Sequence, residues 1–135
     1  MTTLMTDVDE AGKPAPEVVW ISDLADVRKA LRRWQGADSV AQAWAYLVSH
    51  SQLAVRIYRR HENGSPSPAS LYLLLKDCHQ VSFRDSWRDV DIRIEERPGK
   101  FGLEFMVTDG DRFSVHCGVH PFVAESSELL KLPFA

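Results

Sequence analysis

A chain of 135 residues with 44% hydrophobic and 26% charged residues has the make-up of one ordinary water-soluble domain. Two globular domains do not fit that length, whereas one of this size hides roughly two-thirds of its unfolded surface and needs no metal or disulfide staple. The balance of 16 Lys+Arg against 19 Asp+Glu, a formal charge of -3, disfavours nucleic acid as a partner, because phosphate contacts would require those cations on one face.

Residues 1–17 carry Asp7, Asp9, Glu10, Lys13, Pro14 and Pro16 among scattered apolar residues, and are expected to form a flexible segment ahead of a single domain over 18–135. They have no apolar centre of a signal peptide, and no apolar run in the chain approaches the roughly 20 residues of a membrane span. Val18 to Ile21 is the first apolar cluster. Ser22 or Asp23 then offers an N-cap, and Leu24, Val27, Leu31 and Trp34 line one side of a helix predicted over Ser22–Gln35, with Gly36 as its stop. A second helix is predicted over Ser39–Ser49: Val40, Ala43, Trp44, Leu47 and Val48 share a helical side, and alanines raise the propensity.

From Leu53 the apolar period changes to two. Leu53, Val55 and Ile57 alternate with Ala54, Arg56 and Tyr58, so strands take over. His61 to Ser70 is too rich in Pro and Gly for a strand interior and reads as an exposed connection. Leu71, Leu73 and Leu75 form the next inward set, with a turn or bulge at Asp77-Cys78-His79 before Val81 and Phe83. Val90, Ile92 and Ile94 alternate with charged residues in the pattern of one antiparallel strand with a wet face, closed by Pro98-Gly99. Leu103, Phe105 and Val107 lead to Asp109-Gly110, and Phe113, Val115 and Cys117 follow. Matching these two apolar sets demands an odd-length turn, and the predicted one is a three-residue loop Asp109–Asp111 with Val107 opposite Phe113. Val119, Phe122 and Val123 suggest a last short strand, held by Pro121 to an edge or a strand start, and Ser126–Ala135 reads as a weakly docked tail. The predicted fold is therefore α+β, with two N-terminal helices packed on a mainly antiparallel sheet of five to six strands.

The chemistry-bearing residues are few. Cys78 and His79, with His116, Cys117 and His120, are the types that complete a tetrahedral zinc site, but they offer one plausible ligand pair where a structural site brings two. Both cysteines are expected as thiols in the cytoplasm, and a disulfide between them requires their strand ends to converge. The alternation of Asp89, Asp91 and Arg93 with apolar residues marks a solvated strand face. A helix-turn-helix reading fails because the cations Arg28, Lys29, Arg32 and Arg33 sit on the first helix, whereas base edges are read by the second. Of the four tryptophans, Trp34 and Trp44 fall on apolar stripes, while Trp20 or Trp87, if exposed, would anchor a partner protein. Trp87 lies among Arg84, Asp85, Arg88 and Asp89, a composition that suits an interface or a packed turn. The functional expectation is a non-enzymatic module that binds another protein, such as an adaptor, an inhibitor or a toxin-neutralising partner. No cofactor, nucleic acid or membrane is expected. The alternative is a small metal-dependent or hydrolytic enzyme using Cys78, Cys117 and His120 with His79.

Overall fold

The computed structural model describes residues 17–60, 67–100 and 102–130. The first predicted helix is present, and the apolar cluster ahead of it is a strand. Val18–Ile21 is strand β1, and Leu24–Trp34 is helix α1, capped by the Asp23 carboxylate, which accepts from Asp26 N at 3.2 Å. Val27, Ala30 and Leu31 are the buried positions of α1. Gly36, at φ +113, then turns the chain in a conformation that side chains rarely adopt.

The second predicted helix is instead strand β2, Gly36–Leu47. It pairs on one side with β3, Gln52–Arg59, and on the other with β6, Ser86–Val90. A bulge disguises it. Ala43 faces Val55 and Ala45 faces Ala54, so Trp44 has no opposite number and the strand changes parity there. Trp44 and Ala45 both join the apolar cluster on the outer side of the sheet, while Tyr46 meets Phe83 across the inner side. A strand that breaks its alternation and packs on both faces places apolar residues three and four apart, as a helix does. Two rows of interstrand hydrogen bonds and contact on both faces outweigh the few tenths of a kcal/mol per residue that alanine favours a helix.

Ten strands form two antiparallel sheets among the described residues, with α1 the single α-helix. The fold is thus mostly β, which corrects the expected pair of helices on one sheet. The larger sheet runs β1, β10 (Phe122–Ser126), β4 (Ser70–Leu75), β3, β2, β6, and the smaller runs β5 (Cys78–Phe83), β9 (Phe113–Cys117), β8 (Gly102–Asp109), β7 (Arg93–Gly99). The smaller sheet does the covering assigned to the second helix. One continuous core joins Val55, Ile57, Leu71 and Leu73 of the large sheet to Phe105, Val107, Phe113 and Val115 of the small one, with Val27 and Leu31 of α1 alongside. Each such side chain contributes about 1.5–3 kcal/mol on burial before entropy is counted. Leu103, expected in this core, is 59% exposed, because it pairs with Pro98 at the outer end of the β7–β8 hairpin.

The outer face of the large sheet is also apolar at its centre, where Ala54, Tyr72, Leu74 and Ala124 are buried with Trp44, Phe122 and Leu130 against them. The chain beyond β10 is fastened there: Trp44 Nε1 donates to Leu130 O at 2.9 Å and Leu130 N to the Tyr72 hydroxyl at 2.9 Å. The weakly docked tail expected over Ser126–Ala135 is thus corrected at Leu130, which is fastened to the sheet, and 131–135 lies outside the described residues. Pro121 does precede a strand start, but β10 is interior, between β1 and β4. The predicted connection over 61–70 ends inside β4 at Ser70, which is buried, and 61–66 lies outside the described residues.

Two further differences shape the candidate site. The single strand read through Val90, Ile92 and Ile94 is divided between the sheets at Asp91 and Ile92, yet all three apolar residues stay buried because both sheets face the same core. Gln35 holds the crossing, accepting from Ile92 N at 2.9 Å and donating to Ile92 O at 3.1 Å. In the β8–β9 hairpin the predicted parity holds, but the pairing slides by two residues. Val107 faces Val115, Asp109 faces Phe113, and the three-residue loop is Gly110 to Arg112. The slide buries Asp109.

Candidate functional site

Trp87 occupies the inner row of β6, opposite Ala41, and only 5% of it is exposed. Its ring stacks on Phe113 with centroids 5.3 Å apart. Its indole N–H donates to Asp109 Oδ2 at 2.8 Å, and the same oxygen accepts from Asp91 N at 2.8 Å. Arg112 completes the carboxylate with a 2.8 Å bond to Oδ1, and reaches Arg88 O and Asp89 O as well. This joint holds edge strand β6 to the hairpin of the other sheet. Trp87 is therefore a core residue of a strand, so its ring lies neither in the packed turn nor at the exposed interface that the sequence suggested. Arg84, Asp85, Arg88 and Asp89 are exposed around it, and Asp89 accepts from Asp38 N at 3.0 Å.

The structure brings Cys78 and Cys117 together as direct partners on β5 and β9, with His79 and His116 the next pair along. Successive residues of a strand point to opposite sides, so the thiols face the core while the imidazoles, 6.2 Å apart, lie on the outer side. Both cysteines are free and buried. The Cys117 thiol donates toward the Cys78 sulfur; this hydrogen bond holds the Cys78 pKa below the ordinary thiol value, while the same bond and burial push Cys117 upward. His120 goes elsewhere. Its Nε2 sits 2.8 Å from Ser22 O and its ring meets the edge of Phe105, so it does not complete a ligand set with the cysteines. Among the described residues no three His, Cys, Asp or Glu side chains are grouped to hold a metal ion.

The exposed tryptophan is Trp20. It lies on β1, which pairs with β10 on one side and forms one edge of the large sheet. Trp20 is 59% exposed and Val19 50% exposed, and the Trp20 ring leans on Phe122 with centroids 6.0 Å apart. The other edges are guarded. Edge β7 carries Arg93, Glu95, Glu96, Arg97 and Pro98, edge β6 carries Arg88 and Asp89, and edge β5 is distorted by a bulge with Gln80 at φ +55. Charge, proline and bulges are among the features that keep an edge from pairing with another chain, and Val18-Val19-Trp20-Ile21 has none of these three, its one guard being a length of four residues. Shallow depressions flank it, one lined by Ile21, Asp26, Lys29 and Arg33, the other by Val19, Trp34 and Ala69.

No family model, no curated protein and no solved structure matches this chain. Among the described residues no helix is long and apolar enough to cross a membrane.

The role of one residue escaped the sequence reading, which placed it only on the face opposite the inward set. Arg56, in the alternating run of β3, is 5% exposed. It donates to Ser70 Oγ at 2.7 Å, Gln42 Oε1 at 3.0 Å and Ser67 O at 2.6 Å, and its guanidinium lies 3.9 Å from the centroid of Tyr58. Burial pulls its pKa below the ordinary arginine value. A charged residue between Val55 and Ile57 reads as a solvated position only if one face of the sheet is wet, and here both are covered.

Proposed function

We propose that this protein is a non-enzymatic binding module that recognises another protein through edge strand β1. The observation that carries this reading is the exposure of Trp20 and Val19 on an edge without charge, proline or bulge. An extended segment of a partner adds to such an edge as a further strand, its main chain satisfying the outward N–H and C=O groups while side-chain pockets select the sequence. Trp20 supplies the anchor. A large ring already supported by Phe122 loses little freedom when a partner covers it, and tryptophan is enriched among the residues that dominate interface energies. The mixed charges beside β1, from Asp26, Lys29 and Arg33, suit the polar rim of a protein interface better than the uniform positive field that nucleic acid requires. We place this binding in the cytoplasm, where the thiol is the resting form of both cysteines.

The test compares wild type with the double variant Val19→Lys, Trp20→Ser in affinity capture from the source cell, followed by calorimetric titration of the purified captured protein. Wild type should bind it, and the variant, at unchanged thermal stability, should bind more than about tenfold more weakly. Equal affinity for the two would remove β1 from the interface.

A further inference from the structure

We propose that Cys78 and Cys117 are a modification site, a dithiol that a peroxide oxidises to a cross-strand disulfide, with Cys78 as the attacking and Cys117 as the resolving residue. The backbone hydrogen bonds determine the geometry. Gly118 N donates to Asp77 O at 3.1 Å, which makes Asp77 and Gly118 the hydrogen-bonded pair at this end of the ladder. Cys78 N points away from β9 and donates to Ser51 O at 2.8 Å. Cys78 and Cys117 thus form the non-hydrogen-bonded pair, in which side chains are closest and Cα atoms are typically about 4.5 Å apart. That spacing falls within the roughly 4.4–6.8 Å that a disulfide spans. The bond can close with little movement of either strand.

The two sulfurs are not equivalent. Cys117 is fully enclosed, whereas Cys78 keeps 8% of its surface exposed at the first residue of an edge strand, just after Asp77 at φ +53. A hydrogen bond from the Cys117 thiol favours the Cys78 thiolate, which is the reactive form. The thiolate attacks one oxygen of hydrogen peroxide, the O–O bond breaks, and Cys78 becomes a sulfenic acid as hydroxide leaves and takes a proton to become water. The Cys117 sulfur, giving up its proton, then attacks the Cys78 sulfur and expels the sulfenic oxygen as a second water. Two thiols lose two electrons and one peroxide gains them. The product ties edge strand β5 covalently to β9.

The test treats the full chain with hydrogen peroxide and reads intact mass and thiol alkylation in denaturant. The expected result is a loss of two hydrogen atoms, disappearance of both alkylatable thiols, a higher thermal midpoint, and reversal of all three by dithiothreitol. In Cys117→Ala the sulfenic acid should persist at Cys78 and be trapped by dimedone, while Cys78→Ala should leave Cys117 unmodified. Two alkylatable thiols after treatment of wild type, or oxygen added to Cys117, would overturn the proposal without recourse to either variant.

Discussion

The indole N–H of Trp87 on β6 donates to the carboxylate of Asp109 on β8 across 2.8 Å, and this bond joins the edge of the large sheet to the hairpin of the small one. An aspartate buried to 4% exposure is tolerable there because both oxygens are satisfied, by Trp87, Asp91 N and Arg112. Trp87→Phe keeps the stack on Phe113 but removes the donor, and should cost about 1–3 kcal/mol. Trp87→Ala also opens a cavity and should cost about 3–5 kcal/mol. Urea denaturation measures both; a loss below about 0.5 kcal/mol for the alanine variant would show that the ring is not packed as described.

Arg56 is the second buried charge, and its three acceptors lie on different parts of the large sheet: Gln42 on β2, Ser70 on β4 and Ser67 just before it. A lysine retains the charge but not the planar fork, and cannot reach all three from one nitrogen. Arg56→Lys should therefore lower stability by about 1.5–3 kcal/mol. A neutral result in chemical denaturation would mean that the guanidinium contacts contribute nothing net.

Gly118 lies against Asp77, whose carboxylate fills the space a Cβ would occupy. Gly118→Ala should lower the thermal midpoint. Asp77→Gly, which removes that carboxylate and suits the positive φ of the site, should restore much of the loss when the two are combined. Additive effects in the double-mutant cycle would place the two residues out of contact.

The order in which the thiols ionise sets a pH dependence. Because the hydrogen bond from Cys117 stabilises the Cys78 thiolate, deprotonation of Cys78 extends to lower pH than for an ordinary thiol, and Cys117 follows at higher pH. Iodoacetamide should accordingly modify Cys78 first, with a pH profile displaced to the acid side. Cys117→Ala removes the donor and leaves burial to act, so the profile should move toward higher pH. No displacement in that variant would contradict the assigned hydrogen bond.

Local pattern announced single elements of this fold but not its architecture. Asp23 and the Leu24, Val27, Leu31 series announced α1, and parity alone required an odd-length loop, although it set that loop one residue too early at Asp109–Asp111. What stayed hidden depended on partners distant in sequence. The bulge at Trp44 breaks the alternation of β2, and its burial on both faces copies a helical stripe. The break at Asp91 and Ile92 leaves no trace, since residues on either side keep facing one core. Charged neighbours left Trp87 open to either an interface or a packed turn, whereas Asp109, 22 residues away, decides its burial in a strand. Trp20 was recognised as an anchor only if exposed, a condition that the position of β1 at a sheet edge supplies.

The two-sheet architecture rests on β2 being extended between two neighbours. Interstrand proton contacts measured by nuclear magnetic resonance test this most directly. The account predicts cross-strand contacts from Ala41 to Ile57 on one side and to Trp87 on the other. Contacts between residues three apart throughout 39–49, the mark of a helix, would contradict it.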